Sequence, residues 1–351
     1  MPSTPVASDR RILVLHVGGT IGMRETARGL APFADFPAVL EERLAPLAAR
    51  LPAFEIEAFA TPIDSAEAHP GDWAAIAAHL VARWCEFDGF VVLHGTDTMA
   101  FTASALSFML RELDRPVILT GAQVPMDAAG SDALGNVVAA LRYAAEPAVR
   151  DVSIAFDGVL LRGNRTTKVS TTRLSAFGSP NYPPLGRIEP NGDDVFGGDV
   201  RLDAPRLHRP SGPPIIEIAA QGDGEVISLR LVPGIAAGRL LACLTPPPRA
   251  VVLECYGAGT VPTLGGRMRD FLAKAREQGT VVVALSQVAH GGLSLGTYAA
   301  GALLVEAGVV DGADMTFEAA FTKLVHLIGT GCGAEAMRRQ LASALAGEMT
   351  V

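Results

Sequence analysis

Cysteine is scarce in this chain, and what there is lies scattered. Cys85, Cys243, Cys255 and Cys332 form no C-x-x-C pair and share no spacing, so no disulfide framework or zinc knuckle is encoded. Reduced, mostly buried thiols of a cytoplasmic protein are expected. Aromatic residues make up only 6% of the chain, and no tyrosine precedes Tyr143. Charged residues are also few, at 19%, with a net charge of -8. A negative total without a Lys/Arg stripe excludes a nucleic-acid partner. No apolar run reaches membrane-spanning length, so no membrane partner is expected. The first ten residues, Met1 to Arg10, hold no apolar signal-type segment before the first strand pattern, which again points to the cytoplasm. Histidines 16, 69, 79, 94, 208, 290 and 326 lack ligand spacing, so no metal site is expected; His16 and His94 read as residues at strand ends. Gly18-Gly19-Thr20-Ile21-Gly22 does not fit G-x-G-x-x-G, and no dinucleotide cofactor is implied. Residue order alone leaves a Ser-His-Asp triad open, although no nucleophile-elbow serine is expected.

What the chain does have is apolar material, at 49%, and a length of 351 residues that favours two domains. Strand and helix signals alternate from residue 11 to about 145, with helical periodicity over Trp73–Trp84, Ala103–Arg111 and Leu134–Ala145. Val152–Phe156, Asp157-Gly158 and Val159–Arg162 read as a hairpin. Residues 186–213 are rich in Gly, Pro and Asp, and the linker is placed at 191–213, between an N-terminal domain (1–190) and a C-terminal α/β domain (214–351). In the latter, strands are expected at Ile215–Ala219, Ala250–Cys255 and Thr280–Leu285, and helices near 267–277, 298–307 and 316–328. The fold class is α/β: a larger N-terminal domain whose mostly parallel sheet carries the site, and a smaller flavodoxin-like parallel sheet domain.

Four apolar runs in the first domain end in polar loops. Arg11–Val17 leads into Gly18-Gly19-Thr20, Phe54–Phe59 into Thr61 to Ser65, Gly89–Leu93 into His94-Gly95-Thr96-Asp97-Thr98, and Pro116–Leu119 into Thr120-Gly121-Ala122-Gln123. Parallel strands alternating with helices bring their carboxyl ends to one edge, where ligands bind. Two Thr hydroxyls, two carboxylates, a Ser and several glycine amides thereby meet. That set suits attack on a polarised carbonyl better than a phosphate cradle. Each piece also has a plainer reading. Gly18-Gly19-Thr20 alone is an ordinary βα turn. Thr96 or Asp97 can cap the following helix, unless Thr98 takes that role and leaves both facing the cleft. Lys168, after the hairpin in Arg162-Gly-Asn-Arg-Thr-Thr-Lys168, is by itself a solvated surface charge. Partly desolvated, it can act as the general base that a Thr nucleophile requires.

Taken together, these residues resemble the bacterial cytoplasmic (type I) L-asparaginases over about residues 11–349. The resemblance rests on Gly18-Gly-Thr-Ile-Gly-Met23, Asp64-Ser65, Asp88 to Ala100, Thr102 to Leu110, Arg162 to Lys168, Ser179-Pro-Asn181 and Gly312 to Thr316. It implies that Thr20 is the nucleophile that forms a β-aspartyl enzyme, with Thr96, Asp97 and Lys168 as the activating relay. It implies that Ala122 falls near the oxyanion-binding amide, and that Gly19, Asp64, Ser65, Thr96 and Asp97 contact the substrate. L-asparagine would yield L-aspartate and ammonia, without metal or cofactor, in a homodimer or homotetramer. A related hydrolase of glutamine or another small amide, or a weak asparagine/aspartate sensor, is the alternative. Two departures stand out. The family's lid tyrosine is replaced in Arg28-Gly29-Leu30-Ala31-Pro32, and its Gly-x-Gly-Asn reads Gly257-Ala258-Gly259-Thr260. Val288 stands where an allosteric relative has Cys.

Overall fold

A computed structural model describes residues 9–27, 29–189, 198–219, 224–295 and 299–350. They fall into two compact units, Met1–Ile218 and Ala219–Val351. The first unit runs through β1 (Arg11–Gly18), β2 (Met23–Thr26), β3 (Gly29–Pro32), α1 (Phe36–Leu44), β4 (Ala53–Ile63), α2 (Pro70–Ala82), β5 (Gly89–Leu93) and α3 (Met99–Met109). It continues through β6 (Leu110–Arg111), β7 (Val117–Thr120), α4 (Ala133–Ala144), β8 (Val152–Phe156), β9 (Val159–Arg162), β10 (Thr167–Lys168) and β11 (Phe177–Gly178). Short strands β12 (Gly186–Ile188), β13 (Val200–Leu202) and β14 (Ile215–Ile216) complete it.

Eight of these strands form one sheet in the order β13-β12-β9-β8-β7-β5-β1-β4. From β4 to β8 the neighbours are parallel, and β9, β12 and β13 add antiparallel pairs. The parallel strands in the middle are apolar throughout because helices cover both faces; all five residues of β5 are buried. On one face Val14, Leu93 and Ile118 pack against Phe36 and Leu40 of α1 and Val137 and Leu141 of α4. Both tryptophans of the chain are buried in this unit. Trp73 lies in α2, and Trp84 stacks on Phe90 with ring centroids 4.9 Å apart. At the start of α2 the His69 ring accepts from Gly71 N–H at 3.0 Å, and the Asp72 carboxylate accepts from His69 N–H at 2.9 Å. This closes a capping box on two otherwise unpaired amides.

The β8–β9 hairpin forms as expected, with Asp157 (φ 50°) and Gly158 (φ 71°) both in the left-handed region its two-residue turn demands. The expected strand at Ile215–Ala219 does not open the second unit. Only Ile215–Ile216 is extended, and it pairs antiparallel with β6 inside the first unit, where Arg111 and Glu217 also meet as an ion pair. Of the stretch placed as linker, residues 191–197 lie outside the described residues, and β13 belongs to the edge of the large sheet. The expected burial of the thiols is corrected too. All four are free, but Cys85 and Cys243 are exposed because they follow helix ends, and only Cys255 is buried, within a central strand.

The second unit contains β15 (Val226–Arg230), α5 (Ala237–Ala242), β16 (Ala250–Cys255), α6 (Arg267–Glu277), β17 (Val281–Ser286), α7 (Ala299–Glu306), β18 (Val310–Asp311), α8 (Phe317–Gly329) and α9 (Ala334–Leu341). Its four strands are parallel in the order β15-β16-β17-β18. Val251, Leu253, Val282 and Ala284 pack against Phe271, Leu272 and Leu304 in a core of its own.

Candidate active site

β1, β5 and β7 are consecutive parallel neighbours or one strand apart, so the loops that follow them emerge at one sheet edge. The β1 loop turns through Gly18 (φ 140°) and Gly19 (φ 95°). A Cβ on Gly18 would strike the backbone of Ile63, and one on Gly19 the backbone of His94 and Gly95. Backbones therefore touch where side chains would have kept them apart. This contact sets Thr20, the first residue of a single 3-10 turn, beside the loop that carries Thr96. Thr20 is half-buried, and among the described residues its hydroxyl has no hydrogen-bond partner.

Ser65 enters the same place from β4. It is buried, and a Cβ on Gly95 would meet its side chain. The Ser65 carbonyl accepts from the Thr98 hydroxyl at 2.7 Å. Thr98 does occupy the N-cap position of α3, yet its side chain makes no cap bond and ties the two loops together instead. Asp64 is exposed, and its carboxylate accepts from Ala66 N–H at 3.0 Å.

Thr96, Asp97 and Lys168 meet directly. Lys168 Nζ donates to Thr96 Oγ1 at 2.7 Å and to Asp97 Oδ1 at 2.8 Å. The Lys168 side chain is 17% exposed and that of Asp97 68%, so the pair spans the boundary between protein and solvent. Lys168 reaches inward from β10, which pairs with β11. In this setting it is not a solvated surface charge.

Gln123 was not singled out by sequence reasoning, although it lay in the fourth polar loop. Its Nε2 donates to the carbonyls of Ser170 and Arg173, each at 3.4 Å, and its Oε1 accepts from Thr96 Oγ1 at 3.2 Å. Carbonyls cannot donate, so the amide nitrogen must face them and the oxygen must face Thr96. The Thr96 proton thus points to Gln123, and its lone pair to Lys168. Ala122, just before Gln123, is buried.

The two histidines nearest the site are structural. Burial lowers the affinity of His94 for a proton, against the opposing pull of the Gly95 carbonyl. Its Nδ1 donates to that carbonyl at 2.8 Å, which leaves Nε2 to accept from Thr102 Oγ1 at 3.0 Å. His16 packs on Phe36 with ring centroids 4.4 Å apart, and burial brings its pKa down to about 4. Among the described residues no group of three or more His, Cys, Asp or Glu could hold a metal ion. The letters G-x-S-x-G do occur, contrary to expectation, at residues 292–296. Ser294, however, does not directly follow the end of β17 but lies further along the loop, where its N–H donates to the Ala258 carbonyl, and Gly296 lies outside the described residues.

The stretch in which the family's lid tyrosine is replaced belongs to an antiparallel hairpin of β2 and β3, pairing Met23 with Pro32, Arg24 with Ala31, Glu25 with Leu30 and Thr26 with Gly29. Arg28 lies outside the described residues. Leu30 is 50% exposed. Arg24 ties the hairpin to the fourth loop, with its Nε 2.7 Å from Asp127 Oδ2 and its guanidinium 3.8 Å over the Phe33 ring.

Residues 11–198 match the family model "Asparaginase, N-terminal", and residues 225–341 match "Glutaminase/Asparaginase C-terminal domain". The chain is similar to L-asparaginase 1 of Escherichia coli (strain K12), 38% identical over 97% of this chain and 98% of the relative. Among solved structures it is similar to L-asparaginase I from Vibrio cholerae, with a TM-score of 0.87 and 34% identity over 97% of this chain and 99% of that one. The thermostable L-asparaginase from Thermococcus kodakarensis aligns with a TM-score of 0.84 and 33% identity over 97% and 99%.

Proposed function

The chain belongs to the asparaginase family, and from that premise we propose that it hydrolyses L-asparagine to L-aspartate and ammonia through an ester on Thr20. One observation carries the reading: Lys168 Nζ stands 2.7 Å from Thr96 Oγ1 and 2.8 Å from Asp97 Oδ1, at the sheet edge where Thr20 leaves its hydroxyl unengaged among the described residues. A Thr hydroxyl is a weak nucleophile until a base is at hand, and this cluster supplies one.

The Thr20 oxygen adds to the side-chain amide carbon, and its proton passes through the Thr96–Lys168 pair to the leaving nitrogen. The carbonyl oxygen takes the electron pair, facing the Ala122 amide, and gives it back as the carbon–nitrogen bond breaks. Water then adds to the ester carbon, its proton returns through the same pair to the Thr20 oxygen, and the carbon–oxygen bond to Thr20 breaks to release aspartate. The Asp97 and Asp64 carboxylates are acceptors for the substrate's α-ammonium, and the Ser65 hydroxyl is a donor to its α-carboxylate. The enzyme works in the cytoplasm as a homodimer or homotetramer; equilibrium sedimentation distinguishes these, and a monomer would exclude both.

An amide panel tests the activity. Ammonia released from asparagine well above glutamine, D-asparagine and peptide amides is expected, and Thr20→Ala should lose at least about a thousandfold in kcat while still binding aspartate. Release from the other amides alone would assign a different small-amide hydrolase, and binding without release a sensor. Turnover by a clean Thr20→Ala preparation would remove Thr20 as nucleophile.

A further inference from the structure

The turn that follows β7 is held by side chains from the start of a single helix. Asn136 Nδ2, in the first turn of α4, donates to the Gly121 carbonyl at 3.0 Å. The Asp132 carboxylate accepts from the amides of Gln123 at 3.1 Å and Val124 at 3.0 Å, and from Asn136 Nδ2 at 3.0 Å. The Ser131 hydroxyl donates to the Val124 carbonyl at 3.0 Å. Asn136 is fixed in turn, being buried and accepting from Asp157 N–H at 2.9 Å through Oδ1. An aspartate at an N-cap ordinarily bonds the amides of its own helix. Asp132 occupies that position on α4 but makes no side-chain cap bond; its carboxylate serves the turn.

Ala122 stands between these held groups. It is 1% exposed, and its N–H makes no hydrogen bond within the described protein. A buried amide without an acceptor is costly, and such groups are kept where a ligand completes them.

We propose that Asp132 and Asn136 are positioning residues that aim the Ala122 amide at the oxygen of the substrate's side-chain carbonyl as it gains charge. The inference rests on the amide-hydrolysis reading. The peptide bond is planar, so the Gly121 carbonyl and the Ala122 N–H lie in one plane and point in opposite directions. A bond from Asn136 to that carbonyl therefore sets the heading of the Ala122 N–H. Asp132 anchors the next two amides, which stops the turn from rolling about this plane. It also fixes the backbone of Gln123, whose side chain accepts the Thr96 proton. Neither Asp132 nor Asn136 touches the substrate. An amide aimed beforehand needs no reorganisation when charge develops.

Asp132→Asn and Asn136→Ala are compared with wild type for kcat and KM on asparagine, and for the inhibition constants of two ligands. Aspartate has a planar carboxylate. Aspartate β-semialdehyde can accept the Thr20 hydroxyl across its carbonyl, giving a tetrahedral hemiacetal with its oxygen at the oxyanion position. Misaiming one donor should lower kcat by about tenfold or more, with KM within about threefold. Aldehyde affinity should fall by the same factor as kcat, and aspartate affinity should stay level. Asp132→Asn keeps one acceptor and should retain more activity than Asp132→Ala. Variants that match an active wild type, or that lose aldehyde and aspartate affinity equally, overturn the proposal and leave the hydrolase reading intact. A wild type that releases ammonia from no amide overturns that reading, and the proposal with it.

Discussion

At Lys168 one nitrogen, Nζ, donates to both a hydroxyl and a carboxylate. In the proposed reaction the bond to Thr96 Oγ1 lies on the proton path, whereas the bond to Asp97 Oδ1 holds the Lys168 nitrogen in place. Lys168→Met keeps the stem and removes the proton carrier. Its kcat should fall by about a hundredfold or more while KM changes only a few-fold, read from initial rates of ammonia release. A change in KM alone would make Lys168 a binding charge. His16 offers a separate test. Burial brings its pKa from 6.5 down to about 4. Between those values the unfolded chain binds a proton that the folded chain refuses, so this contribution to stability is complete above 6.5 and declines as pH falls towards 4. The slope is at most about 1.4 kcal/mol per pH unit for a single group. His16→Leu should flatten the urea-midpoint profile in that window, whatever it does to stability at neutral pH. At this scale the sequence was partly legible. Thr20, Thr96 and Asp97 could be marked because hydroxyls and charges at strand ends stand out against apolar runs, whereas Lys168 alone read as a solvated surface charge and was marked only by the family resemblance. Gln123, Asp132 and Asn136 could not, because polar residues around a helix start look like ordinary capping until the partners of each atom are known.

Among elements, the strands and helices of the first unit were readable because parallel strands covered on both faces are continuous apolar runs. Gly89–Leu93 and Ala250–Cys255 coincide with β5 and β16 residue for residue. The antiparallel edge strands β12 and β13 were not, since three residues in a Gly- and Pro-rich stretch carry no periodicity. Ile215–Ile216 misled for another reason. Its β-branched pair signals a strand correctly, but only tertiary pairing with β6 shows which unit owns it. The β2–β3 hairpin carries the position of the family's lid tyrosine. Leu30 is half-exposed and pairs with Glu25, and a tyrosine there supplies a hydroxyl that Leu lacks. Leu30→Tyr should raise kcat/KM for asparagine, with Glu25→Gln as a control for the carboxylate paired with it across the hairpin and Thr20 essential in both backgrounds. A wild type that is slowed by the tyrosine would mean that the hairpin needs no proton carrier.

For the molecule as a whole, two sheets with separate cores imply that damage in one unit need not be felt in the other. The second unit contains an ion pair, Lys323 Nζ to Glu348 Oε1 at 2.6 Å, with both side chains fully buried. Lys323 also donates to the Leu341 and Ser343 carbonyls, and Glu348 accepts from the amides of Leu345 and Ala346. Removing one partner strands a buried charge. Glu348→Leu should cost about 3–5 kcal/mol, and Lys323→Met in the same chain should recover most of it. Equal loss in single and double variants would mean that packing, not charge, holds this end of the fold. The choice of signal decides whether that loss is seen at all. Trp73 and Trp84 both lie in the first unit, so intrinsic tryptophan emission is blind to the second. A Glu348→Leu chain can therefore give an unchanged fluorescence melt while its ellipticity at long range of temperature drops early. Non-coincident curves from the two optical methods would be the spectroscopic signature of where the chromophores sit, and a screen that watches emission alone would pass every variant whose defect is confined to residues 219–351.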